Sequence, residues 1–133
     1  MNVRAPNIDI DSAPWWNALR LHQVVVQQCR VCGRRWLPRT PACPYCGADA
    51  PNDQPISGTG VVYSFIRAHR AMSDVMVKEV PYTITAIDLD GGGRVFARVE
   101  GDCSIGDAVI PEFVDHDTWT ELRYRQRPVD TTR

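Results

Sequence analysis

Two Cys-x-x-Cys-Gly turns, Cys29-Arg30-Val31-Cys32-Gly33 and Cys43-Pro44-Tyr45-Cys46-Gly47, stand ten residues apart in a chain of 133 residues. The residues between them are rich in Arg and Pro and offer little apolar material. Such a stretch holds a compact shape mainly by binding a metal. Two-residue gaps let each cysteine pair chelate from one tight turn, and the Gly that follows accepts the left-handed backbone that aims amides at sulfur. Four thiolates, Cys29, Cys32, Cys43 and Cys46, fill a tetrahedral divalent ion completely. No coordination position is left open, so the expected centre is structural. Zinc fits best, and iron, which uses the same four thiolates, is its competitor. The ten-residue gap is shorter than the commonest long spacing of four-Cys sites but fits a short ribbon.

The length suits one modest domain, or a small module joined to a small domain. A formal net charge of -1 gives no global attraction to nucleic acid or membrane. The longest apolar runs, such as Val24-Val25-Val26, are too short to span a bilayer. Residues 1–11 carry acids and no apolar core, so they do not read as a secretory signal. A cytoplasmic protein is expected, and there cysteine pairs hold metals more often than disulfides. The fifth cysteine, Cys103, has no partner for a full disulfide framework. Charge is uneven. Residues 29–50 hold Arg30, Arg34, Arg35 and Arg39 against Asp49, whereas acids outnumber bases from residue 51 onward.

Taken in order, residues 1–10 read as extended or unstructured. Ser12 is the expected N-cap, with Pro14 in the first turn. Trp15, Ala18, Leu19 and His22 follow at i, i+3, i+4 and i+7, which predicts a short amphipathic helix over 13–22. Too short to stand alone, it must pack its Trp face on something. Trp15 and Trp16 either cover the protein's own core or help form a ligand or partner groove. Residues 23–28 predict a strand and 34–37 a second one. The layout is strand, knuckle, strand, knuckle, as in a zinc ribbon. Residues 51–57 are polar, contain Pro and show no periodicity, so they read as a linker. Beyond it, strands are predicted over 60–70, 81–90, 94–100, 107–114 and 119–126, with a hairpin turn at Gly91-Gly92-Gly93. The fold class is therefore mainly β: a short N-terminal helix, a four-Cys ribbon and a five-stranded barrel, the OB-fold leading. An open sheet or an SH3-like barrel matches the same strand pattern. The expected divisions are arm and helix 1–22, ribbon 23–50, linker 51–57, barrel 58–127 and tail 128–133.

No catalytic constellation is visible. His22, His69 and His116 are scattered, and Cys103 reads as an incidental loop cysteine with nothing nearby to lower its pKa. The triple glycine lacks the following helix of a phosphate loop. Arg67-Ala68-His69-Arg70 reads either as a solvated strand end or as a site for an anionic group such as a phosphate.

The order of parts carries a resemblance. Trp15-Trp16-x-x-Leu19 is followed by Gln28-Cys29-x-x-Cys32-Gly33 and Pro41-x-Cys43-Pro44-x-Cys46-Gly47. Gly58-x-Gly60-x-Val62-Tyr63-Ser64-Phe65 and Val80-Pro81-Tyr82 come next. Over about residues 12–125 the chain resembles the rubredoxin-like zinc-ribbon plus OB-fold proteins of domain-of-unknown-function family 35. The resemblance implies an accessory subunit of a thiolase-fold enzyme, a thiolase or a lipid-transfer-protein-like aldolase. Such a subunit docks to its partner in a heterotetramer and helps bind an acyl-CoA thioester. Steroid side-chain or aromatic-acid catabolism would be a suitable setting. On charge and position, Trp15, Trp16, Arg34, Arg35, Arg67, His69, Arg70 and Tyr82 are the candidates for contacting CoA or the partner. Two other classes stay in play. A nucleic-acid-binding ribbon and barrel is disfavoured by the acidic barrel half, where aromatics do not interleave with bases. A redox protein would carry iron in the four-Cys site.

Overall fold

The computed structural model describes residues 5–71 and 74–128. Residues 129–133 of the expected tail lie outside them. The chain opens with helix α1 (Ala13–Arg20), continues through β1 (Val24–Gln28), β2 (Arg35–Trp36) and β3 (Asn52–Ile56), and ends in a barrel. The barrel strands are β4 (Gly60–Ala68), β5 (Tyr82–Leu89), β6 (Arg94–Val99), β7 (Ala108–Asp115) and β8 (Thr120–Gln126). Among the described residues no helix is long and apolar enough to cross a membrane.

The barrel order is β4-β5-β6-β8-β7, with β7 returning to β4. All neighbours are antiparallel except β6 and β8, which run parallel. This is the OB arrangement that the strand pattern predicts, and the five strands lie where the alternation puts them. The ring closes on two residue pairs only, Gly60 with Val109 and Val61 with Ala108. At Gly60 a side chain would strike the carbonyl of Asp88 at 2.5 Å, so glycine permits the close approach of β4 and β5.

Three local readings change. Residues 51–57 are not an unpaired linker. They hold β3, which pairs antiparallel with β1 from Val24 opposite Ile56 to Gln28 opposite Asn52. β1 is buried along four consecutive residues, Val24 to Gln27, so its backbone needs partners on both edges, and β3 supplies the second. Pro55 is tolerated because β3 is an edge strand in the order β2-β1-β3. Ser12 makes no side-chain bond to the helix. Instead Asp9 accepts from the Ser12 amide at 2.8 Å while Ser12 Oγ accepts from the Asp9 amide at 3.1 Å, a reciprocal pair one turn earlier. Helix α1 stops at Arg20, and His22 leaves it with φ +58°. Its ring then stacks on Phe113 at 4.9 Å and bonds Asp115 at 3.0 Å.

The core does not respect the boundary between ribbon and barrel. Leu19 of α1 and Val24 and Val26 of β1 share one cluster with Val62, Ile87, Val109 and Tyr124. Tyr124 is fully buried and donates its hydroxyl to the Gly58 carbonyl at 2.6 Å. Arg20 fastens the helix to the β7–β8 turn by donating to the carbonyls of His116, Trp119 and Asp117, each within 2.9 Å.

Candidate metal centre and the groove beside it

Each knuckle is built the same way. The amide of Gly33 donates to the Cys29 carbonyl at 3.1 Å, and Gly47 to Cys43 at 2.9 Å. Both glycines are left-handed, at φ +77° and +81°. That turn exposes the amides of Val31 and Cys32 to Cys29 Sγ, each at 3.3 Å, and that of Tyr45 to Cys43 Sγ at 3.4 Å. The sequence thus folds into two cradles of N–H groups around sulfur, and the chain reversal through β1 and β2 sets them face to face.

The four sulfurs lie within 4.8 Å of one another. Cys29 and Cys46 are 3.5 Å apart, and Cys32 and Cys43 3.7 Å. Tetrahedral zinc with bonds of about 2.3 Å sets its sulfurs about 3.8 Å apart, so the cage has the dimensions of a metal-thiolate site. The electrostatics agree. The Cys32 amide, against burial, draws the Cys29 thiol down to about 6. Burial opposes ionisation of Cys43, yet the amides of Cys46 and Tyr45 hold it below the ordinary thiol value. The Ala48 amide favours ionised Cys46, but the Cys29 sulfur, burial and the Cys43 and Cys32 sulfurs together outweigh it and Cys46 rises to about 11. Four sulfurs this close cannot all ionise without a cation among them, and a divalent ion removes that conflict. Cys29 and Cys43 are buried with Trp36, whereas Cys32 and Cys46 face outward.

The other expected site residues fall into separate places. Trp15 and Trp16 project from α1, and Trp16 meets Trp119 edge to face at 5.9 Å. Tyr82 lies on β5 with the Arg98 guanidinium over its ring at 5.0 Å. These three aromatic residues come together around one groove. The cations do not join them. Arg34 lies over Tyr45 on the second knuckle at 4.8 Å. Arg35 donates to the Gly91 carbonyl at 3.2 Å and braces the ribbon on the β5–β6 turn. Arg67 reaches Thr83 at 3.4 Å and Asp102 at 3.5 Å. His69 and Arg70 are exposed beyond the end of β4.

The groove has two lobes. The larger, about 760 Å³, runs between α1, the ribbon and β6, and includes Trp15, Trp16, Leu37, Pro38 and Phe96 in its wall. The smaller, about 310 Å³, shares Trp15, Trp16 and Phe96 and adds Tyr82 and Trp119. OB barrels bind ligands across their second and third strands, between two flanking loops. Those strands are β5 and β6 here, and α1 lays its tryptophans across part of that face. Phe96 is 70% exposed on the outer side of β6, and Ile66 is 64% exposed on β4 opposite Ile84. Sequence reasoning passed over Phe96, although an aromatic at an outward position of a clean alternation signals a contact surface. It also passed over Gln27, which carries no such signal, because only the tertiary fold sets it in the groove wall.

Comparison with known proteins fits this geometry. Residues 16–52 match the family model of the ChsH2 rubredoxin-like zinc ribbon domain, and residues 53–114 that of the ChsH2 C-terminal OB-fold domain. Among solved structures, a chain of the Ltp2-ChsH2(DUF35) aldolase superimposes with a TM-score of 0.81 and 30% identity, covering 92% of this chain and 98% of that one. A DUF35 protein of unknown function from Sulfolobus solfataricus shares the fold, with a TM-score of 0.64 and 17% identity over 89% of this chain and 86% of its own. A probable enoyl-CoA hydratase alpha subunit from Thermomonospora curvata is 31% identical over 116 residues, which is 84% of this chain. This chain spans 36% of that relative's length. With ribbon and barrel matched in tandem and a relative covered almost end to end, the chain belongs to the ChsH2-type DUF35 family of zinc-ribbon and OB-fold proteins.

Proposed function

We propose that this protein is the accessory subunit of a thiolase-fold enzyme, an aldolase or thiolase that makes or breaks a C–C bond in an acyl-CoA thioester. The observation that carries this reading is the superposition on 98% of the ChsH2(DUF35) chain of the Ltp2-ChsH2 aldolase. Two features of the described residues support it. His116 is buried against Glu121, and His22 is engaged by Asp115, so neither is set beside a nucleophile. The apolar side chains Phe96 and Ile66 stand out into solvent, as in a surface made for contact. In this reading zinc in the four-Cys cage is a structural clip, and the partner supplies the acid, base and nucleophile. Degradation of steroid side chains or aromatic acids is the setting we favour, with two copies of each subunit in the assembly.

Affinity-tagged protein co-expressed with the thiolase-fold protein of its own genome tests the reading. Co-elution as a stable complex in equal amounts is the expected result. Elution of the chain alone, or with nucleic acid in a salt-dependent manner, would overturn it and favour a nucleic-acid module.

A further inference from the structure

Gln27 is a polar side chain in an apolar place. It sits in the central strand of the ribbon sheet, is 3% exposed, and forms part of the wall of the larger lobe. Its Oε1 accepts the Thr40 amide at 2.7 Å, which fixes the orientation of its own amide group. Its Nε2 therefore points its two hydrogens elsewhere. Among the described residues Nε2 has no hydrogen-bond partner, and the atom stays open to solvent. The same lobe is lined by the surfaces of Trp15, Trp16, Leu37, Pro38 and Phe96.

The charges in the same wall are already committed. Arg39 is paired with Asp53 at 2.6 Å, and Arg94 with Asp88 at 2.6 Å while lying over Tyr63. Asp9, which the Ser12 bonds hold below the usual carboxylate range, and Asp11 are exposed at the rim. Among the described residues the lobe therefore has no free cation for a phosphate, and Asp9 and Asp11 at its rim repel anions. A volume of about 760 Å³ is that of a small-molecule site.

We infer that this lobe binds a neutral apolar molecule through a carbonyl oxygen that accepts from Gln27 Nε2, with its rings or chain held between the tryptophans, the prolines and Phe96. If the chain serves a thiolase-fold enzyme, the occupant is the acyl end of the thioester rather than its nucleotide. That identification rests on the proposed function, whereas the pocket chemistry does not.

The zinc-loaded full chain is titrated with Prodan, a neutral naphthyl ketone, and followed by dye emission and by the side-chain amide signals of a nitrogen-15 spectrum. Expected are saturable binding at one dye per chain, a blue shift, and movement of the Gln27 amide signals. The anionic dye 1-anilinonaphthalene-8-sulfonate should bind at least about tenfold more weakly. Gln27→Glu keeps the acceptor for Thr40 and removes the donor, and should weaken Prodan about tenfold. Phe96→Ser, on an exposed wall, should weaken it without unfolding the chain, and keeps the test open if Gln27→Glu does not fold. Absence of saturable binding, binding that leaves the Gln27 signals in place, or equal affinity for the sulfonate would overturn the inference. A partner that co-elutes with a chain unable to bind Prodan would sink this inference alone. Prodan binding by a chain that captures no partner would sink only the accessory-subunit reading.

Discussion

Cys29 concentrates the chemistry of the ribbon, since two backbone amides, Cys46 and the buried Trp36 all converge on it. Cys29→Ser should lower bound metal from about one ion per chain to near none, because three thiolates and a hydroxyl no longer close the site. Elemental analysis reads the metal, and tryptophan emission should shift to the red as Trp36 loses its packing. Full metal occupancy in the variant would contradict the assignment. Asp115 gives a second test. The Thr120 hydroxyl first, then the His22 ring, hold its carboxyl below the usual range. A depressed folded pKa means that the contribution is present above the unfolded value of about 3.9 and is lost as pH falls through the lower folded value. Urea midpoints of the native protein and Asp115→Asn should therefore differ at about pH 6 and draw together as pH falls below the unfolded value of about 3.9. The cysteines were legible in the sequence because ligand spacing is a local property. Gln27 was not, because its role depends on which three elements meet around it.

Among elements, the β5–β6 turn is the joint between barrel and ribbon. Gly93 has φ +86°, and a methyl group there would lie 2.7 Å from the Leu37 amide nitrogen. Gly106 has φ +95° with nothing within 4 Å. Gly106→Ala should cost only the backbone term of about 1 kcal/mol, and Gly93→Ala about 2–4 kcal/mol because it also forces the joint apart. Equal urea stabilities for the two variants would show that the joint is not tight. The sequence marked Gly91-Gly92-Gly93 as a hairpin turn, yet the reason for three glycines lies in the ribbon: Ile56 of β3 crowds Gly91, and residues 35–37, more than fifty positions earlier, crowd Gly92 and Gly93. The barrel strands could be read directly, since period-2 alternation and turn residues are written into each segment. β3 could not, because Asn-Asp-Gln-Pro-Ile is polar and becomes a strand only beside the bare edge of β1. α1 was legible as a helix, but its end was misplaced by two residues, because the pull of Phe113 and Asp115 on His22 is a long-range effect.

At the scale of the molecule, ribbon and barrel share one core through Leu19, Val24 and Val26. They should therefore melt in a single transition, and removal of the metal with a chelator should lower that transition as a whole. Two separate calorimetric steps, with the barrel unmoved by chelation, would show that the ribbon is an independent appendage. The same fusion gathers the tryptophan helix, ribbon residues 37–41 and the β5–β6 face around one groove, which in the proposed reading a larger enzyme uses.

That use is tested most directly by turnover. The thiolase-fold partner is purified alone and assayed for cleavage of its acyl-CoA thioester while this chain is added in increasing amounts. The account predicts low activity without the chain, a rise in proportion to added chain, and a plateau when the two are present in equal amounts. A partner that is fully active alone and unaffected by the addition would contradict it.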